Sequence, residues 1–241
     1  MKRTERHHLK ENELQVFARQ AREAVEHRGR QATTVITAVV IVGVVALGYV
    51  AWRDRVQSRA DAMLAEAVAV AETRVGAPIA PGTPGAGPSF PSEQARSQAA
   101  LAKFKAAADA HPSTEAGLFA RYQQGTTAMA LGNAAEAAQA YQQVIERAGD
   151  GIYAQMARLG LAEAQARAGQ YDQAISGFRE LTQRADGPLP IDAILMRLGQ
   201  TYLDAGKRDD ALQTFNRVVE EYPDSPFSED AKRVLDNLKK S

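Results

Sequence analysis

Residues Asp192 to Ser225 read DAILMRLGQTYLDAGKRDDALQTFNRVVEEYPDS. Leu198-Gly199 and Tyr202 lie before the turn glycine Gly206, and Ala211, Phe215 and Pro223 follow it. Two earlier stretches carry the same order. One has Leu161-Ala162, Gly169, Ala174 and Phe178; the other has Gly125, Gly132, Ala137 and Tyr141. The turn glycines at 132, 169 and 206 stand 37 residues apart. A fixed period of this size means stacked supersecondary units, each too small to bury its own apolar face alone. The pattern predicts size complementarity within each unit. A small residue on the first helix (Gly125, Ala162, Gly199) leaves a notch, an aromatic on the second (Tyr141, Phe178, Phe215) fills it, and Ala137, Ala174 and Ala211 let the backbones approach.

The spacing L-G-x-x-Y, A-x-x-x-F, P resembles the tetratricopeptide repeat (TPR), whose usual period is about 34 residues. The extra residues fall around Gly149-Asp150-Gly151 and Asp186-Gly187-Pro188, in loops where added length costs little. The expected fold is all-α, a right-handed TPR solenoid of about three and a half helix pairs over residues 93–225, closed by a capping helix over 226–241. That last helix is expected from Phe227, Ala231, Val234, Leu235 and Leu238, beginning near Ser228. The half pair comes from Ala100, Phe104, Ala107 and Pro112, which match second-helix positions with no first helix beside them. Either that pair is incomplete, or the helix upstream (Ala60 to Val75, with Met63, Leu64, Ala67 and Val68) folds back to complete it.

Between these segments, residues 76–92 read GAPIAPGTPGAGPSFPS, with five prolines and four glycines, a composition that predicts a linker with no regular helix or strand. Further upstream, Thr33 to Trp52 contains no charge, and ten of its residues are Val, Ile or Leu. A helix of that length spans roughly 30 Å, the thickness of a bilayer's hydrocarbon core. Residues 33–52 are therefore expected to form a single transmembrane helix, with Tyr49 and Trp52 at the headgroups and 53–75 as a membrane-proximal helix. The apolar run is too long for a signal-peptide core, and Arg53, Arg55 and Arg59 follow it directly.

Charge orients the span. Residues 1–32 form a basic tail with eight Lys or Arg against five Glu, whereas 21 basic and 24 acidic groups lie elsewhere. The positive-inside bias then predicts a cytoplasmic N-terminus, with residues 53–241 on the far side. Within the tail, Leu14, Phe17, Ala21 and Val25 sit at helical spacing, which suits either a lipid-surface helix or a solvated one leading to the span. The span contains no G-x-x-x-G, so nothing in it points to dimerisation within the bilayer.

Composition excludes several kinds of chemistry. The 29 basic and 29 acidic residues balance, and that disfavours nucleic-acid binding. The chain has no cysteine, so thiol nucleophiles and thiolate metal sites are out. His7, His8 and His27 lack spaced carboxylate partners and read as surface residues rather than a metal site. His111, ahead of Pro112, reads as a turn residue. Asp209-Asp210 and Glu220-Glu221 read as helix-surface pairs with no basic or nucleophilic partner at a suitable offset. No catalytic residue, cofactor, metal or small-molecule substrate is expected.

The order of basic tail, span and alanine-rich helix, followed by KFKAAADAHPSTEAGLFARYQQG leading into repeats, resembles the YfgM-like proteins, the membrane-anchored ancillary subunits of the bacterial SecYEG translocon. The resemblance implies an inner-membrane protein with a periplasmic repeat domain whose partners are the translocon and periplasmic chaperones. The C-terminal EEYPDSPFSEDAKRVLDNL also resembles the tails of the cell-division coordinator CpoB and the outer-membrane assembly lipoprotein BamD. This second resemblance leaves an envelope or cell-wall organiser as the alternative function. Counting groove-facing positions along each first helix gives Phe119, Tyr122, Thr126 and Met129; then Met156, Leu159, Glu163 and Arg167; then Met196, Gln200, Leu203 and Asp204. Of these, Leu159 and Leu203 are expected to be contacts between repeats. The rest form a conformable, partly apolar groove suited to varied protein chains.

Overall fold

Alanine-rich amphipathic segments broken by glycine turns produce helices and nothing else of length. The computed structural model describes residues 3–77, 87–183 and 187–240, and within the first helix it describes side chains at 19, 20, 22 and from 34 onward. Among the described residues there are nine helices: α1 (Arg3–Ala71), α2 (Glu93–Ala110), α3 (Glu115–Ala130), α4 (Ala134–Ala148), α5 (Ile152–Arg167), α6 (Tyr171–Thr182), α7 (Ile191–Asp204), α8 (Arg208–Glu221) and α9 (Ser228–Lys240). The chain divides into two units, residues 1–55 and 56–241.

In the first unit every described side chain from 34 to 52 is exposed. Thr34–Ala71 contains the one stretch, among the described residues, long and apolar enough to cross a membrane. Tyr49 and Trp52 tilt against each other with ring centroids 6.0 Å apart. The side chains of Leu14, Phe17, Ala21 and Val25, and those of His7, His8 and His27, lie outside the described residues.

The second unit is a TPR-like solenoid of four helix pairs. Each helix packs on the next in sequence from α2 to α9, and first helices also touch across repeats, α3 on α5 and α5 on α7. The turn within each of the last three pairs ends its first helix in the same way. Gly132, Gly169 and Gly206 sit at φ of 80°, 75° and 73°, where an L side chain would be strained. The amide of the next residue donates back to the helix (Asn133 to Ala128 O, Gln170 to Gln165 O, Lys207 to Tyr202 O, each 2.8 Å), which is a Schellman stop.

The upstream helix resolves the half pair. The end of α1 packs on α2, where Ala67, Ala100, Phe104, Ala107, Ala108 and Ala120 share one core flanked by Met63, Leu64 and Val68. Lys103 reaches Glu66 at 2.6 Å across that seam. There are thus four pairs rather than three and a half, and the proline-rich stretch is an insertion within the first. Helix α1 stops at Ala71 instead of continuing to residue 75, and the insertion is not free of strand. β1 (Arg74–Val75) pairs in parallel with β2 (Ser89–Phe90), and the Gly76 amide donates to Phe90 O at 2.9 Å. The middle of the expected linker, residues 78–86, lies outside the described residues. Ser92 caps α2 by accepting from the Ala95 amide at 3.1 Å, and Thr114 caps α3 through the Gly117 amide at 3.0 Å.

Aromatic rings seated against glycines hold the stack together. A Cβ on Gly125 would sit 2.7 Å from the Tyr141 ring, and one on Gly199 would sit 2.7 Å from Phe215. Gly160 makes an equally tight contact, 2.6 Å from the other side of Tyr141. The ring is therefore clasped between its own first helix and the next. In the third pair Ala162 and Phe178 are both buried in one core, and Ala162 also bears on Gly177. A polar chain, buried at Arg121 and Gln124, crosses the seam of α2, α3 and α4. Arg121 binds Asp109 and donates to Gln124 at 2.7 Å, and Gln124 donates to Glu136 at 3.2 Å.

Two substitutions check this packing. Phe215→Ala is expected to cost about 3–5 kcal/mol by opening a cavity, and Gly160→Ala about 1–3 kcal/mol by driving a methyl into Tyr141. Both are read from denaturant and thermal unfolding of the full chain, and unchanged stability in either contradicts the clasped-ring arrangement.

Candidate protein-binding groove

The first helices α3, α5 and α7 lie side by side, so residues one or two turns apart on each form a continuous strip. The aromatic end of this strip is built on α3 and α5. Phe119 is half-buried and meets Tyr153 with ring centroids 5.8 Å apart. One turn on, Tyr122 meets Tyr141 at 5.7 Å. Tyr141 belongs to the second helix α4, but passing between Gly125 and Gly160 brings its hydroxyl to the first-helix face, 3.3 Å from the Thr126 hydroxyl. Burial pushes the Tyr141 phenol up from its ordinary value; the Thr126 hydrogen bond and Arg167 oppose that shift, and Tyr122 and Glu163 add to it.

The opposite end is charged. Glu163, Arg167, Gln200 and Asp204, four of the residues expected in the groove, line one depression of about 150 Å³ together with Ala166, Phe178, Arg197 and Thr201. Its groups largely satisfy one another. Arg197 Nε lies 3.4 Å from Glu163, Gln200 donates to Asp204 at 2.8 Å, and Arg167 donates to the Met129 carbonyl at 3.3 Å across the α3–α5 seam.

Not every expected groove residue is on this face. Met129 is 8% exposed and packs in the core with Ala128, Ala137 and Val144, so it is a packing residue and not a groove contact. Met196 is half-buried against the core of the last two pairs, as are Leu159 and Leu203. Met156 is half-buried, and Thr126 is exposed beside the Tyr141 hydroxyl. Five contributors were missed: Tyr153, Arg197, the hydroxyl end of Tyr141, and Asp61 and Leu64 on α1. Tyr153 stands three residues before Met156 on the same helix face, a spacing that would have found it. Asp61 and Leu64 lie on the helix expected either to be only membrane-proximal or to complete the first pair.

Two acidic pairs read as surface groups differ in their partners. Glu221 accepts from Arg217 at 2.8 and 3.0 Å, a basic partner four residues away that the sequence reading overlooked. The ion pair holds the Glu221 carboxyl below the usual carboxylate range. His111 is the C-cap of α2, in keeping with a turn residue. Among the described residues no three His, Asp or Glu side chains converge as a metal ion would require.

Residues 30–229 match the tetratricopeptide repeat-like domain family. Among solved structures, the nearly identical TPR-like repeats of a Podosopora anserina chain described as a kinesin light chain superpose with a TM-score of 0.53 at 16% identity, over 60% of this chain and 78% of that one. A second structure of those repeats gives 0.53 at 15% identity, with the same coverage. YrrB, described as a TPR protein with an unusual peptide-binding site, gives 0.47 at 24% identity, over 57% of this chain and 66% of its own. No curated protein matches the sequence.

The raised Tyr141 phenol makes a test of its placement. A tyrosine whose folded-state pKa is raised contributes stability that is complete below its unfolded value, near 10, and is lost as pH climbs through the folded value. Tyr141→Phe has no such proton to lose. The stability difference between the native chain and this variant should therefore shrink, and then reverse toward the variant, as melts are taken from pH 9 upward; a pH-independent difference would place the hydroxyl in open water.

Proposed function

Since the chain belongs to the tetratricopeptide repeat-like family, a family of protein-interaction scaffolds, we propose that it is a membrane-anchored, non-enzymatic scaffold. In this reading its first-helix groove holds polypeptide partners at the periplasmic face of a bacterial inner membrane. The observation that carries this reading is the strip of half-buried aromatic and methionine side chains on α3 and α5 (Phe119, Tyr122, Tyr153, Met156). These side chains present apolar area on a face lined with hydrogen-bonding groups, the combination that a polypeptide's alternating side chains and amides can use. Methionine adds adaptability, which suits a partner set that varies in sequence.

The anchor is assigned to Thr33–Trp52, whose apolar side chains, exposed from residue 34 onward, match a bilayer core in length. The excess of basic residues in the tail supports a cytoplasmic N-terminus with the repeats on the far side. The resemblance to the YfgM-like proteins supports the finer reading, in which the partners are the Sec translocon and periplasmic chaperones acting on newly secreted chains.

Photo-crosslinkers placed at Tyr122, Met156 and Gln200 in cells should trap translocon subunits, chaperones or secreted chains. Tyr122→Ser with Met156→Gln should reduce that yield several-fold while the melting temperature falls by only a few degrees. Envelope-assembly proteins as the main crosslinked species would replace this reading with that of an envelope organiser. Accessible protease added to spheroplasts should digest the repeats; digestion only after lysis would reverse the orientation.

A further inference from the structure

The two ends of the groove treat charge differently. At the α5–α7 end the carboxylates have partners on the protein itself, Glu163 with Arg197 and Asp204 with Gln200. At the other end, α1, α3 and α5 enclose a depression of about 220 Å³ lined by Gln57, Asp61, Leu64, Glu115, Phe119 and Tyr153. The Phe119–Tyr153 pair forms its aromatic wall, and Leu64 and Ala116 supply aliphatic surface. Asp61 and Glu115 are both exposed at the rim. Asp61 accepts a hydrogen bond from Gln57 at 3.0 Å, and neither carboxylate meets a cation among the described residues.

Aromatic faces attract a cation, carboxylates complete its coordination, and apolar walls cover its aliphatic stem. The lining offers all three at one place. We infer that this depression is a specificity pocket for a lysine or arginine side chain, carried by an extended polypeptide next to an apolar residue that lies on the Tyr122–Met156 strip. The inference rests on the reading of the first-helix face as a polypeptide-binding groove and adds the charge that the groove selects. It also gives the bound segment a direction: its basic residue lies at the first two pairs, and its more polar part lies over Glu163, Arg197 and Asp204.

The test uses the full chain in a non-ionic detergent with two dye-labelled peptides, one carrying Phe-Lys pairs set in Gly-Ser and the other Phe-Glu pairs in the same frame. Fluorescence anisotropy should show the lysine peptide binding at least tenfold more tightly, and less so as salt is raised. Asp61→Asn with Glu115→Gln should remove most of that preference while unfolding stays unchanged. The same two-charge change at Glu220 and Asp236, remote from the pocket on α8 and α9, should leave it intact. Equal binding of the two peptides, a silent Asp61/Glu115 pair, or an equal loss from the Glu220/Asp236 pair would overturn the pocket. None of these outcomes touches the wider groove, whose own test is crosslinking at Tyr122, Met156 and Gln200. Failure of both peptides to bind overturns the pocket as well.

Discussion

Much of the repeat domain depends on a ring having nowhere else to go. Tyr141 is held between two glycines on successive first helices, with no room on either side for a methyl group. The contact sets the distance between helices within a pair and between one pair and the next. Close packing gives such a joint little compliance, because interiors at crystal-like density respond to volume changes with strain instead of drift. Phe215 uses the same device on Gly199, with α9 supplying Ala231 and Leu235 to the same core in place of a further repeat. Helix α9 thus covers the face of the last pair with the chemistry a neighbouring pair would provide. Glu229, Asp230, Lys232 and Arg233 on this helix are exposed.

The same joint couples packing to the surface. A phenylalanine at 141 would fill the notch and meet the Tyr122 ring as well, yet only a tyrosine brings a hydroxyl to Thr126. One residue of a second helix therefore contributes to a face otherwise built by first helices. Past this point the strip changes character. Aromatic side chains dominate on the α3 side, and ion pairs and amide–carboxylate bonds dominate between α5 and α7. Mutually satisfied charges at a surface contribute little net attraction and mainly reject mismatched partners. Selectivity by attraction accordingly falls to the end where the carboxylates lack counter-charges.

The legible and illegible parts of the sequence divide along physical lines. The period, the turn glycines and the Gly125–Tyr141 and Gly199–Phe215 contacts are local, since each joins residues within one pair, and a single copy of the pattern carries them. Gly160 was not legible. It sits at a different register from Gly125 and Gly199 because it serves the preceding pair, and a within-repeat template assigns that role to Ala162. Met129 failed for a geometric reason. At 3.6 residues per turn, the ten residues separating it from Phe119 leave about 80° between their directions. Counting forward at three- and four-residue steps carried the prediction off the exposed face and into the core. Tyr153 and Arg197 were in reach of the same counting, begun one turn earlier on α5 or one residue later on α7.

The first pair shows why composition misled where spacing did not. Five prolines and four glycines argue against a helix through residues 76–92, but a repeat pair does not need chain continuity between its helices. It needs their ends brought together. The two-residue ladder of β1 and β2 does this, with the Gly76 amide bonded to Phe90 O and Arg96 reaching Thr73 O at 3.4 Å. Closing a loop costs free energy that grows only with the logarithm of its length. Once the ends are clasped, the insertion's size and sequence are nearly irrelevant to how α1 and α2 pack. The core of Ala67, Ala100 and Phe104 then forms as in any other pair, and the positions that α1 brings to the groove, Asp61 and Leu64 among them, are placed by that core and not by the residues that precede it in sequence.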